Sequence, residues 1–339
     1  MQSASKMINI ALLGTGRIGK LHASIINAHP EANLKYVYDI DTSSAKKIAK
    51  KYSCEVAKTP KEAISSDQIN AILIASATPT HTDYISLGAE SNKAIFCEKP
   101  IDLDINKVNK CWQKIKKYKP TIQIGFNRRF DPNHNKVQSE VLSGKIGKIE
   151  MIVITSRDPS PPNINYLKQS GGIFRDCSIH DFDLARFILN DDPIAEVFAQ
   201  GSINVSNDFK VTNDYDTTMC SMKSKKGVLV HINNSRRAVY GYDQRLEVFG
   251  SNGMLISDNV PNNDINYYNQ NLSFAKKPIK NFFLERYKDA YQIQLDQFIK
   301  SIKNKKNTLV TFEDGKNALI LANSATKSVK SNKVVKPKF

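Results

Sequence analysis

The chain has 339 residues, 40% hydrophobic and 24% charged, an ordinary globular composition with length enough for two domains with substantial cores. No apolar run approaches the ~20 residues that span a bilayer, and Ile8–Leu13 behind the polar Met1–Lys6 is too short for a signal-peptide core, so no membrane role and a cytoplasmic location are expected. The net charge of +16 comes from lysines spread along the chain with no helix-turn-helix, zinc finger or RNP-like motif beside them, which reads as a solvated basic surface and not a nucleic-acid interface.

The five cysteines are scattered, odd in number and contain no Cys-x-x-Cys pair. They predict neither a disulfide framework nor a zinc site and fit a reducing compartment.

Ile8–Leu13 reads as a buried strand, followed by Gly14-Thr15-Gly16-Arg17-Ile18-Gly19 and a helical pattern. In that setting the glycines permit a tight turn and close backbone approach, and the helix N-terminus meets a pyrophosphate. A second strand, Leu34–Tyr38, ends in Asp39, 20 residues after Gly19, where a carboxylate accepts from the ribose 2′-hydroxyl and repels a 2′-phosphate. Together these predict a dinucleotide site that prefers NAD, with Gly14, Gly16, Arg17, Ile18, Gly19 and Asp39 at the cofactor.

The alternation continues with a helix at 43–51, a strand at 54–56, a helix at 60–65, strands at 71–75, 94–97 and 122–125, and helices at 81–91 and 106–118. Repeated βα units predict a doubly wound parallel sheet whose ligand lies beyond the carboxyl ends of its strands. Two such ends carry Ser76-Ala77-Thr78-Pro79-Thr80-His81 and Glu98-Lys99-Pro100. This places Thr78, His81, Glu98 and Lys99 at the site, although His81 alone could be a helix-start residue and Lys99 a surface lysine.

After Gly125 the pattern changes. Segments 148–156, 194–205, 215–222, 227–233, 245–249 and 254–257 read as strands joined partly by Gly-containing turns, and Tyr287–Lys303 and Glu313–Lys330 as closing helices. We therefore expect a Rossmann domain over 1–126 and an α+β domain with a large, mostly antiparallel sheet over 127–339. Gly171–Asp183 opens a helix that continues to Leu189, and α-helical spacing sets Asp176, His180 and Asp183 on one face at i, i+4 and i+7. The helix is apolar around most of its circumference, so this stripe is interior or lines a cleft. His180 is then either a core histidine with a carboxylate partner or a catalytic base, and the two carboxylates favour the latter.

Gly14–Gly19, Glu98-Lys99-Pro100 and Gly171–Asp183 together resemble the Gfo/Idh/MocA oxidoreductase family, and the likeness runs from about Met7 to about Val335. The stretches Gly125–Asp131, Ser156–Pro159, Ser235–Asp243 and Glu285–Tyr291 are similar to its inositol-oxidising branch. The resemblance implies oxidation of myo-inositol to scyllo-inosose, with NADH as the other product and a homotetramer built on the open face of the second sheet. Scyllo-inositol or an aldose is the alternative substrate, and a dinucleotide-binding sensor without turnover is a further one.

Alcohol oxidation needs a base for the hydroxyl proton, and an imidazole with an ordinary pKa of ~6.5 suits it. The resemblance implies the set Lys99, Asp176 and His180: His180 as base, Asp176 orienting a hydroxyl, Lys99 bonding the reacting oxygen. Asp183 would hold the imidazole or cap a neighbouring group. Arg129, Arg157, Asp158 and Tyr240 stand in matching motifs and are candidates for further substrate hydroxyls, against an ion-pair role for Arg128 or Arg129 and a core role for Tyr240. Tyr287 is placed near the nicotinamide by resemblance alone. No metal site is suggested.

Overall fold

The computed structural model describes residues 7–339; Met1–Lys6, the expected polar N-terminus, lies outside the described residues. Among the described residues no helix is long and apolar enough to cross a membrane. The chain forms two units, one of residues 7–127 with Tyr291–Lys316, the other of Arg128–Ala290 with Asn317–Phe339.

In the first unit β1 (Ile8–Leu13), β2 (Ala32–Tyr38), β3 (Glu55–Val56), β4 (Ala71–Ile74), β5 (Ala94–Cys97) and β6 (Ile122–Ile124) pair in parallel in the order β3-β2-β1-β4-β5-β6. They alternate with α1 (Arg17–Ala28), α2 (Thr42–Tyr52), α3 (Pro60–Ser65), α4 (His81–Glu90) and α5 (Ile105–Ile115). Ile10–Leu13 and Ala71–Ile74 are wholly buried, as uninterrupted apolar strands at the centre of a parallel sheet should be. Local chemistry starts the helices: the Asp41 carboxylate accepts from the amides of Ser43 and Ser44, and Thr59 Oγ1 from that of Glu62 with Pro60 in the first turn. From β3 the chain returns to β4 on the other side of β1, which makes the carboxyl ends of β1 and β4 the switch point where such sheets bind ligands.

Where domains of 1–126 and 127–339 were expected, the units divide after Asn127 and not everything beyond it lies in the second. Tyr291–Lys316 returns to the first unit. The reason is an unfinished sheet edge and apolar core: the Ile124 amide donates to Val310 O at 3.0 Å, Gln123 Nε2 to Gln294 O at 3.0 Å, and Phe312 stacks on Trp112. Phe298 meets Phe96 edge-on.

In the second unit β7 (Ile149–Arg157), β8 (Ile194–Ser202), β9 (Thr217–Ser224), β10 (Leu229–Ser235), β11 (Asp243–Gly250) and β12 (Gly253–Ser257) pair in the order β12-β11-β7-β10-β9-β8. Only β7–β10 is parallel; the other pairs are antiparallel, as expected. Ile152, Ile154, Val230, Ile232, Leu246 and Val248 point into the core. Helices not anticipated from sequence, α6 (Pro132–Leu142) and α7 (Ile164–Ser170), join α8 (Ile179–Leu189).

The helix predicted to open within Gly171–Asp183 and run to Leu189 is regular α-helix over Ile179–Leu189, and Phe174–Ser178 is a π turn. A π turn widens the helix and shifts every side chain around the axis relative to α spacing. Asp176 and His180 are half-buried, while Asp181 and Asp183 are fully inside, 0% and 1% exposed. Of the three residues expected on one face at i, i+4 and i+7, two are thus half-buried and Asp183 is enclosed.

Candidate active site

The nucleotide end lies within the first unit. Gly14 has φ +98°, and a Cβ there would fall 2.5 Å from the backbone of Ala75, so the turn after β1 presses against the end of β4. A Cβ on Gly19 would lie 2.0 Å from Gly14 O, which brings α1 hard against its own loop. Gly16 faces open space and starts α1 with no side-chain cap and no acidic residue in the first turn. Exposed amides at the positive end of a helix suit a pyrophosphate. Arg17 is exposed and Ile18 half-buried beside them. Asp39 Oδ2 accepts from Thr15 N at 2.6 Å and Thr15 Oγ1 at 2.9 Å, tying the carboxylate at the end of β2 to the glycine turn. A ribose diol beyond that turn would meet an oriented acceptor. These residues fit a dinucleotide.

At the ends of β4 and β5 the side chains are interlocked. His81 is 1% exposed, with Nδ1 2.8 Å from Pro100 O and Nε2 3.0 Å from Ser76 O. Burial pulls its pKa down, against the two carbonyls that favour its charged form. His81 thus joins the two loops, its one N–H donating to either carbonyl according to tautomer. Glu98 Oε1 lies 2.7 Å from His22 Nε2, and a Cβ on Gly125 would come 2.6 Å from Glu98 Oε2. Thr78 opens a short 3-10 turn and is half-buried, as is Lys99 between buried Glu98 and Pro100.

The second unit carries a cluster of paired charges. Asp176 Oδ1 accepts from Tyr166 Oη at 2.7 Å and Oδ2 from Arg236 Nη2 at 2.7 Å. Arg236 Nη1 donates to Asp158 Oδ2, also at 2.7 Å. Burial pushes the Asp158 carboxyl above its ordinary range while Arg236 pulls it back. Burial would favour a neutral Arg236, but Asp176 and Asp158 more than offset this and keep it charged. His180 follows Asp176 by four residues and is half-buried. Arg128 bonds Asp181 and Ser156, and Asn234 Nδ2 donates to Asp181 Oδ2 at 2.7 Å.

The other expected substrate residues divide. Arg157 donates from Nη2 to Asn233 Oδ1 at 2.8 Å and from Nη1 to Tyr240 Oη at 3.1 Å, and Tyr240 donates to Asp243 Oδ2 at 2.6 Å. Tyr240 is 44% exposed, which removes the core alternative. Arg129 and Asp183 are buried and bonded to each other at two points, the ion-pair arrangement weighed for Arg129. Tyr287 is 2% exposed inside the second unit, its hydroxyl donating to Gln244 Oε1 at 3.2 Å and its ring against Arg286 and Tyr242. That enclosure lends a nicotinamide contact no support. Tyr166 and Arg236 were missed from sequence; Arg236 lay within Ser235–Asp243, but nothing there marked which of two adjacent arginines turns inward.

A glycine turn between β1 and an uncapped helix, an acid at the end of β2 and a second unit built on an open mixed sheet define an NAD-binding Rossmann oxidoreductase. Residues 8–126 match the oxidoreductase family with NAD-binding Rossmann fold, and residues 134–256 match the GFO/IDH/MocA C-terminal domain. The chain belongs to the Gfo/Idh/MocA family, and its cofactor is NAD. It is 41% identical to an inositol 2-dehydrogenase of Rhizobium meliloti (strain 1021) over 322 residues, 95% of this chain and 97% of that one. It superposes on a myo-inositol dehydrogenase of Corynebacterium glutamicum with a TM-score of 0.95 at 41% identity, covering 98% of this chain and 99% of that one. A scyllo-inositol dehydrogenase of Lactobacillus casei, solved with NAD(H) and scyllo-inositol bound, matches with a TM-score of 0.91 at 29% identity over 98% and 99% of the two chains.

Proposed function

We propose that the protein oxidises myo-inositol at one secondary alcohol to scyllo-inosose. The observation that carries this reading is the half-buried Asp176, engaged on both oxygens by Tyr166 and Arg236, with half-buried His180 one turn further on. The likeness to enzymes named for inositol supports the substrate. NAD, when bound, supplies the hydride acceptor.

In this reading His180 takes the hydroxyl proton of the carbon that is oxidised. A neutral imidazole is the base that works near neutral pH. Asp176 accepts a hydrogen bond from a substrate hydroxyl and fixes the ring. The Lys99 ammonium donates to the reacting oxygen and steadies the charge that grows there as the proton leaves. Asp158, Arg157 and Tyr240 take outer hydroxyls.

Scyllo-inositol differs from myo-inositol at a single carbon, so the likeness to the L. casei enzyme keeps it as the second candidate. NADH formation, read by absorbance at mildly alkaline pH with myo-inositol, scyllo-inositol and glucose, decides between them. Strongest turnover on myo-inositol supports the reading; NAD binding with no turnover on any polyol would overturn it in favour of a sensor.

We further propose self-association, as a homotetramer, through the open face of the second sheet. Cross-strand register lines up Met254, Phe249, Met151 and Leu229 on β12, β11, β7 and β10, each between 42% and 50% exposed. An apolar row crossing four strands suits burial against another copy. Light scattering coupled to gel filtration reads the mass, and a monomer would overturn this.

A further inference from the structure

We propose that Arg236 is the positioning residue of the substrate site, yoking Asp158 and Asp176 so that their carboxylates act together on two hydroxyls of one neutral polyol. The inference rests on reading those two aspartates as hydroxyl acceptors.

The arrangement is dictated by topology. Asp158 and Arg236 are the first residues beyond β7 and β10, which pair in parallel with Arg157 opposite Ser235. Backbone bonds hold the two ends together: the Asp158 amide donates to Ser235 O at 2.9 Å, and the Ala238 amide to Asp158 O at 2.7 Å. The Arg236 amide is anchored in turn on Asp216 O at 2.8 Å. The guanidinium, 4% exposed with its residue, projects from this rigid corner to the π turn that carries Asp176. Its two terminal nitrogens each take one carboxylate at 2.7 Å. A planar fork with fixed nitrogens sets the separation of whatever it binds.

A guanidinium used only to hold the fold would need one of these acids. Here a second is drawn in, and Asp158 keeps 22% of its side chain accessible, with no donor among the described residues on Oδ1. That oxygen is an available acceptor beside Asp176. Two carboxylates side by side repel, and without a cation between them one would hold a proton and become a donor. Arg236 keeps both as acceptors. The trio carries one net negative charge, which suits uncharged polyhydroxyl donors and disfavours phosphorylated or acidic sugars. Tyr166, Cys177, Asp214 and Arg128 also face this trio, and Arg128 is already committed to Asp181.

The test compares wild type, Arg236→Met and Arg236→Lys as full-length proteins, measuring steady-state kinetics with the best polyol of the panel across pH, NAD affinity by fluorescence, and melting temperature. Arg236→Met should raise KM on the order of 100-fold at neutral pH, the loss typical of removing one partner of a buried charge pair. Its kcat should fall far less and NAD affinity should hold. The acid limb of kcat/KM should move to higher pH, because Asp158 loses the positive charge that opposes its burial. Lysine keeps the charge but not the fork, so it should return the acid limb toward wild type while KM stays raised. If Arg236→Met does not fold, the lysine variant alone decides. Unchanged KM and pH profile, or an equal loss at every pH together with a lower melting temperature, would overturn the proposal. A wild type inactive on every neutral polyol would instead fail the underlying reading and take this inference with it.

Discussion

Asp183 grips Arg129 with both oxygens: Nε donates to Oδ2 at 2.8 Å and Nη2 to Oδ1 at 2.6 Å, with the side chains 1% and 7% exposed. The guanidinium also lies over the Phe187 ring at 5.2 Å. A two-point pair in a buried setting is costly to break from one side, because the remaining charge stays desolvated. Asp183→Asn should therefore lower stability by ~3–5 kcal/mol. Thermal unfolding measures that, and KM of the folded variant should stay near wild type. A raised KM with an unchanged melting temperature would return Arg129 to the substrate.

His180→Ala should lower kcat on the order of 10²–10⁴-fold, the range for loss of a general base. NAD affinity should not change. Stopped-flow hydride transfer and equilibrium binding separate the two effects. Equal losses in both would mean the substitution disturbed the fold around the π turn.

Asp39→Ser should relax discrimination against NADP. The carboxylate is bound to the glycine turn through Thr15 N and Oγ1, so it sits beside the loop that would hold the pyrophosphate. Removing its charge removes both an acceptor for the 2′-hydroxyl and a repulsion of the 2′-phosphate. The ratio of kcat/KM for NADP over NAD should rise about 10- to 100-fold, the worth of one charge-assisted hydrogen bond. An unchanged ratio would remove Asp39 from its role.

His134 gives the second unit an acid limit. Burial pulls its pKa down to about 3, with Arg286 and Arg128 pushing the same way and Asp131 opposing. The unfolded chain therefore binds a proton below ~6.5 that the folded chain refuses until far lower pH. Stability should fall as pH drops from about 6.5 toward 3, by an amount on the order of 5 kcal/mol if the whole difference is expressed. Asp131, whose pKa is lowered despite burial because the Arg286 guanidinium and the His134 backbone amide stabilise its charge, adds to the loss at the acid end. Melting temperature against pH, with His134→Phe as the comparison, reads this: the variant should show a shallower acid slope.

Much of the first unit was legible because its signals are local. A strand, a glycine turn and a helix are contiguous, and Asp39 follows at the distance a single βα step imposes. Pro60–Ser65 and Ala94–Cys97 match their predicted bounds residue for residue, since a capped helix and a short apolar run carry their own ends. The helix opened by Gly171–Asp183 was harder. Apolar spacing marks a helix but does not distinguish a π turn from an α turn over five residues.

The sequence by itself determined the dinucleotide turn, the alternation that makes a parallel sheet and which residue types stand at strand ends, because these follow from backbone sterics and hydrophobic period over a few neighbouring residues. Only the tertiary structure decided which carboxylate each arginine meets. Arg129 reaches Asp183 across 54 residues, Arg236 reaches Asp176 across 60 and Asp158 across 78, and Tyr291–Lys316 returns to a sheet edge left at Ile124. A guanidinium carries no signal of its partner along the chain. Its role is settled by which acid the fold buries beside it, since a desolvated charge must be matched where it lies.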